Sequence, residues 1–379
     1  MLKLLIKNDL PRYFHTSALL MVLLSTLGCS PGRKQTEKGV GADEGDAALR
    51  LFSGFGRAEI EQLQAQPGYS LTFPEDHGSH PDYAVEWWYL TANLSDQQGK
   101  HYALQWTLFR FRGDNPSSPW ANEQQFMAHA SLHSADNSWF EERFARGGVG
   151  NGGVSSEPFK AQLDNWSWSS ASAALFPSTL EFSIQQEVHI ELSLSTRGDF
   201  VLHGEQGYSQ KLRNSAQASY YYSQPHIDIM GSLVIADEVI ALSGQAWFDH
   251  EWSSQYLDPK TQGWDWFSIH LNNGDKLMLF NMRHQVQADF WSGTLIRSGG
   301  KTHHLEEKDI QALVLKQEKV AGRLLPLQWS IRLPTYGLDI KVKAMKKEQW
   351  NEGMFSYYEG ATFITGSHSG KGFIELTGY

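Results

Sequence analysis

The chain has 379 residues, 41% hydrophobic and 20% charged, which supplies apolar material for two domains and excludes wholesale disorder. Its 32 Lys and Arg against 42 Asp and Glu give a net charge of −10, and basic residues cluster no further than short pairs such as Lys346-Lys347, which excludes a nucleic-acid partner. Cys29 is the single cysteine, so no internal disulfide framework is available.

The N-terminus reads as a targeting segment. Lys3, Lys7 and Arg12 precede an apolar core at residues 18–24 that is too short to span a bilayer as a helix. It ends in Ser25-Thr26-Leu27-Gly28-Cys29 and resembles a bacterial lipoprotein signal. That resemblance implies removal of residues 1–28, lipidation of Cys29 and an extracytoplasmic location. Ser30 rather than Asp after the cysteine is similar to lipoproteins sent to the periplasmic face of the outer membrane. Residues 29–70 read as a tether, with no apolar period from Pro31 to about Ala48 and a short helix over 57–64 ended by Pro67-Gly68.

The run Asp76-His77-Gly78-Ser79-His80-Pro81-Asp82-Tyr83-Ala84-Val85-Glu86-Trp87-Trp88-Tyr89-Leu90 concentrates two His, three carboxylates and three adjacent large aromatics. It runs into alternating strands at 86–94 and 102–111, joined by a polar loop that contains Gly99. Further strands are expected at 125–132 and, after the glycine-rich 147–153 loop, at 159–168. Others follow at 180–184, 190–194, 219–224, 228–235 and 244–248. Short strands at roughly ten-residue intervals indicate an all-β sandwich or barrel.

The second half repeats the first in outline. Trp266-Phe267 opens a strand that turns at Asn272-Asn273-Gly274-Asp275, a hairpin signal because Asn and Gly tolerate positive φ, and returns over 277–283. Gly231 and Gly244 are matched by Gly360 and Gly372, which indicates a duplicated barrel-like unit joined near residues 253–262. A helix is expected around 305–315, with strands at 329–333 and 338–342.

Glu86-Trp87-Trp88-Tyr89, Trp247-Phe248-Asp249-His250-Glu251-Trp252, Gly263-Trp264-Asp265-Trp266-Phe267 and the closing Glu375-Leu376-Thr377-Gly378-Tyr379 resemble the AttH and carotenoid 1,2-hydratase (CrtC) family. The resemblance covers residues 73–379. It implies an all-β fold of two tandem lipocalin-like antiparallel β-barrels of eight to ten strands each, here assigned to residues 71–255 and 256–379. Members of the family include hydratases of isoprenoid alkenes, cyclases, and lipoproteins linked to ABC-type export systems, so the resemblance fixes fold better than function.

Acid and indole recur together three times, the composition of a mostly apolar cavity with a few fixed polar groups. Trp87, Trp88, Tyr89, Trp247, Glu251, Trp252, Trp264 and Trp266 are therefore candidate ligand contacts. Adjacent Trp87 and Trp88 point to opposite strand faces, so at most one of them lines a cavity. Hydration of an alkene needs a neutral acid and a wall that tolerates a cation; Asp249, Asp265 and Glu86 are the candidate acids and the indoles the wall. The same carboxylates also fit a structural role, with Asp249 and Glu251 paired to Arg110 or Arg283. His77, His80, His129, His133 and His250 read as solvated loop residues rather than metal ligands, and no cofactor or metal is expected. There is neither a Gly-x-Ser-x-Gly elbow nor a nucleotide-binding glycine loop ahead of a helix. Two functions follow: a lipid-anchored carrier of a hydrophobic or isoprenoid-like molecule beside an ABC exporter, or a hydratase or isomerase acting through a buried carboxylic acid.

Overall fold

Strand alternation sets the architecture. The computed structural model describes residues 63–113, 122–148, 150–213, 215–254 and 260–379. The signal segment, Cys29, the tether to residue 62 and most of the expected 57–64 helix lie outside them. The first sheet contains β1 (Val85–Ser95), β2 (His101–Arg112), β3 (Gln124–Ser134), β4 (Ser138–Arg146), β5 (Gly152–Ser156), β6 (Phe159–Leu163), β7 (Trp166–Ser170), β8 (Ser178–Ile184), β9 (Val188–Thr196), β10 (Val201–Leu202), β11 (Tyr208–Gln210), β12 (Ala218–Ile235) and β13 (Glu238–Ser253). The second contains β14 (Thr261–Leu271), β15 (Lys276–His284), β16 (Phe290–Ile296), β17 (Thr302–Leu305), β18 (Gln311–Val320), β19 (Arg323–Leu333), β20 (Leu338–Ala344), β21 (Trp350–Asn351), β22 (Tyr357–Gly366) and β23 (Gly370–Leu376). All pairings are antiparallel, and each sheet curls into a nearly closed barrel of the lipocalin type.

Both barrels are wound alike. In the first, the opening strand β1 lies between β2 and the last strand β13; in the second, β14 lies between β15 and the last strand β23. Gly244 on β13 and Gly372 on β23 occupy matching places: a Cβ at Gly244 would lie 2.1 Å from the Asn93 carbonyl oxygen on β1, and one at Gly372 would lie 2.4 Å from that of Ser268 on β14. Only glycine lets the two backbones approach so closely. Gly244→Ala is expected to cost about 3 kcal/mol, the upper end for overpacking. Urea unfolding measures this, and an unchanged midpoint would show that β1 can move away freely.

Period two then divides each central strand between two interiors. Trp88, Leu90, Ala92 and Leu94 face the first barrel's core, while Phe267, Ile269 and Leu271 face the second's. On the opposite faces, Tyr89, Trp247 and Trp266 join a cluster shared by the two sheets. The indoles and carboxylates of the three motifs are thereby distributed among three interiors.

Several expectations are corrected. Residues 305–315 are not helical: after β17, a single 3₁₀ turn at Glu307–Asp309 leads into β18, which pairs with β19. Ala321 and Gly322, both at positive φ, make the tight hairpin that directs this pairing, and β18 is an exposed edge where the apolar spacing of Leu313 and Leu315 reports no helix face. The 219–224 and 228–235 strands are one strand, β12, interrupted between Gln224 and Ile227 by a bulge that accommodates Pro225. The expected 159–168 strand divides into β6 and β7 at Asp164, which has positive φ. The first sheet has thirteen strands rather than eight to ten.

Candidate functional site

The first barrel's interior holds a closed polar network. Glu86 on β1 and Arg110 on β2 are cross-strand partners, both fully buried, with Arg110 Nε 2.7 Å from Glu86 Oε2. Arg110 also donates to Gln124 Oε1 (2.6 Å) and to the Tyr83 carbonyl (2.9 Å). Glu86 Oε1 lies 2.6 Å from His80 Nδ1 and 2.9 Å from His250 Nε2, and His80 Nε2 is 3.0 Å from Asp76. Burial alone would lower His80, but Glu86 and Asp76 overcome it and hold the imidazole at about 9. Burial likewise opposes Glu86 ionisation, and His80 and Arg110 prevail, taking the carboxyl well below its usual range.

The histidines are not solvated: His77, His129, His133 and His250 are buried, and His80 stacks on Trp252 at 3.9 Å. His80, Glu86 and His250 bring three ligand-type atoms within 4.8 Å of one another. As placed they fit hydrogen bonds better than an ion, because tetrahedral ligands at Zn–N distances of about 2.0–2.1 Å stand about 3.3 Å apart. Two carboxylates, one Arg and one protonated His also sum to zero charge, so a divalent ion would first have to displace the His80 proton.

The second barrel holds a smaller counterpart. Asp265 on β14 is fully buried, with Arg283 Nε at 3.3 Å, Asn281 donating to Oδ2 at 2.9 Å and the Tyr379 hydroxyl donating to Oδ1 at 2.7 Å. Burial raises its pKa against the pull of Arg283. The arginines thus pair with Glu86 and Asp265, not with Asp249 or Glu251.

Between the barrels lies a partly open cavity of about 110 Å³. Trp87, Tyr89, Trp264, Trp266, Asp249 and Glu251 all line it. Trp88 and Trp252 point into the first barrel's core instead, and Trp247 stands behind Asp249 with its Nε1 donating to Oδ1 at 2.8 Å. Of the three candidate acids, only Asp249 reaches the cavity; Glu86 and Asp265 occupy the barrel interiors.

Asp249 is 2% exposed, and burial pushes it up to about 7 despite hydrogen bonds from Ser223, Trp247 and Tyr221. Ser223 Oγ and Trp247 Nε1 both donate to Oδ1. When Asp249 is neutral, Oδ2 is therefore the oxygen that carries the proton. Its neighbour Glu251 is different: Lys211 Nζ lies 2.5 Å away, and that ammonium also sits over the Tyr221 and Phe280 rings.

A third carboxyl faces the cavity, and it escaped the sequence reading. Glu375 on β23 accepts from Trp264 Nε1 at 2.7 Å, and burial pushes it up to about 7. Behind it is Glu359, its cross-strand partner on β22, raised well above the usual range by burial and by Glu375. Tyr89 donates to Glu359. Lys211, Tyr221 and Tyr357 complete the missed set. Glu375 did lie in the closing motif, and Glu359 beside the repeated Gly360, but period two alone could not assign their faces.

No curated protein matches the chain. Among solved structures, a protein assigned as AttH from Nitrosomonas europaea is 28% identical, with 84% of this chain and 99% of that one covered and a TM-score of 0.75. Kievitone hydratase from Nectria haematococca is 16% identical over 84% of this chain and 95% of its own, with a TM-score of 0.61. CghA with Sch210972 follows at 13% identity, 78% and 88% coverage and a TM-score of 0.50. Residues 64–379 match the family described as AttH-like, and the chain belongs to that family.

Proposed function

We propose that the protein binds a hydrophobic, isoprenoid-like molecule between its barrels and protonates an alkene there, leading to hydration or isomerisation. The observation that carries this reading is Asp249: a buried carboxyl at about 7 in a wall of indoles and phenols. Burial makes it a proton donor near neutral pH, and aromatic faces stabilise the cation that protonation creates. In a hydration, the Asp249 O–H bond breaks as a C–H bond forms, water adds to the cation, and the added water returns a proton to a carboxylate. The likeness to kievitone hydratase supports a fold able to house such chemistry. At about 110 Å³ the cavity is near the ~150 Å³ that admits a benzene, so it takes the reacting end of a longer chain.

The membrane part of the proposal rests on the sequence. Lipidated Cys29 would tether the barrels to the periplasmic face of the outer membrane, beside an ABC-type export system that supplies or removes the molecule. A carrier would need the cavity but not the acid.

Native mass spectrometry of the protein extracted from its own envelope tests binding. A stoichiometric hydrophobic ligand is expected, with several-fold lower occupancy in Trp264→Ala, whose indole lines the cavity and orients Glu375. A protein that is empty in both forms would contradict the reading.

A further inference from the structure

One buried chain of polar side chains leads away from the cavity and has no part in the reaction as described. Glu142 on β4 is 14% exposed at its side chain, and its Oε2 lies 2.9 Å from Nε2 of the fully buried His129 on β3. His129 Nδ1 is 3.1 Å from the hydroxyl of Tyr357, a residue of the other barrel that lines the cavity. Tyr357 in turn interacts with Glu359, whose Oε1 accepts from Tyr89 and whose Oε2 has no well-formed partner among the described residues. Tyr89 also contacts Glu375. Glu359 thus stands in a file of exchangeable protons that runs from Glu142 through His129 and Tyr357 to the cavity.

We propose that Glu142, His129, Tyr357, Glu359 and Tyr89 form a proton path that joins solvent at the edge of the first barrel to Glu375 in the cavity. This rests on the reading of the cavity as a proton-transfer site. Phe109 and Phe140 pack on His129 edge-on and Tyr357 stacks beside it, so Glu142 and Tyr357 are its two polar contacts among these neighbours. Burial lowers the imidazole against the pull of Glu142, which keeps it neutral and able to accept at one nitrogen while donating at the other.

An outward passage balances as follows. Glu375 gives its proton to the Tyr89 oxygen as Tyr89 gives its own to Glu359 Oε1; Glu359 gives its other-oxygen proton to Tyr357 as Tyr357 gives its own to His129 Nδ1, and His129 then releases its Nε2 proton to Glu142. One proton has moved from Glu375 to Glu142, no electrons have been transferred, and the imidazole has changed tautomer. An inward passage restores it. A hydration that takes a proton for the alkene and releases one from water uses both directions.

A pH jump on the ligand-free protein, followed by infrared absorption of protonated carboxyl groups, tests the path; Glu375→Gln identifies the Glu375 band. Glu142→Gln and Tyr357→Phe are each expected to slow protonation of that group by about a hundredfold, the low side of what a positioned proton-transfer group contributes. The equilibrium midpoint should shift little, a separation that a purely structural role would not produce. His129→Gln should match them; if it does not fold, the other two variants decide. Wild-type rates in Glu142→Gln and Tyr357→Phe would show that protons enter through the cavity mouth and would overturn the path. So would a shifted midpoint with an unchanged rate. Since no ligand is used, the path can fail while ligand conversion persists, and conversion can fail while the path stands.

Discussion

Arg110→Met is expected to remove about 3–5 kcal/mol of stability, the cost of stranding one member of a buried ion pair. Glu86 and Arg110 are both 0% exposed, so water cannot replace the lost guanidinium. Gln124 Oε1 and the Tyr83 carbonyl lose their donors as well. Urea unfolding measures the loss. Arg110→Met combined with Glu86→Gln is expected to recover part of it, because the uncompensated charge is gone. Arg283→Met should cost less: Arg283 is 14% exposed and Asp265, already raised by burial, can become neutral by taking up a proton. Equal losses at the two sites would contradict this difference.

Asp249→Asn carries the second large effect, with opposite signs on stability and chemistry. Burial raises the carboxyl from 3.8 to about 7, so between those values the folded protein holds a proton that the unfolded chain has released. Wild-type stability therefore falls as pH rises through that window. Asn has no proton to lose, so the variant should gain on wild type by about 3 kcal/mol between pH 5 and pH 8, at 1.36 kcal/mol per pH unit over roughly two units. Thermal unfolding at the two pH values checks this. Conversion of a bound alkene should meanwhile disappear, since an amide supplies no acidic proton, and ligand occupancy should persist. Parallel pH profiles for both proteins would place Asp249 ionised and in contact with a counter-charge.

Much of the fold was legible because strand alternation and hairpin turns are local. The Asn272–Asp275 turn joins β14 to β15 as its residues require, with Gly274 at positive φ. The matched glycines marked the closing strand of each barrel. The site was less legible. Period two divides a strand into two faces, but nearly every residue of β1 is buried, one face in a barrel core and the other against the second barrel. Burial therefore does not distinguish Trp88 from Tyr89, or Asp249 from His250. Which carboxylate each arginine meets depends on cross-strand register, such as Glu86 opposite Arg110, and that lies beyond local pattern. Glu375 was obscured by distance: 126 positions separate it from Asp249, yet both line one cavity.

The most direct test of proton transfer between the barrels is isotope incorporation into the co-purifying compound, incubated with the protein in D₂O containing ¹⁸O. Deuterium at a former alkene carbon is expected with wild type and absent with Asp249→Asn; ¹⁸O beside it would identify hydration, and deuterium alone isomerisation. A compound that binds the cavity yet gains neither label with wild-type protein would contradict the catalytic account and leave a carrier.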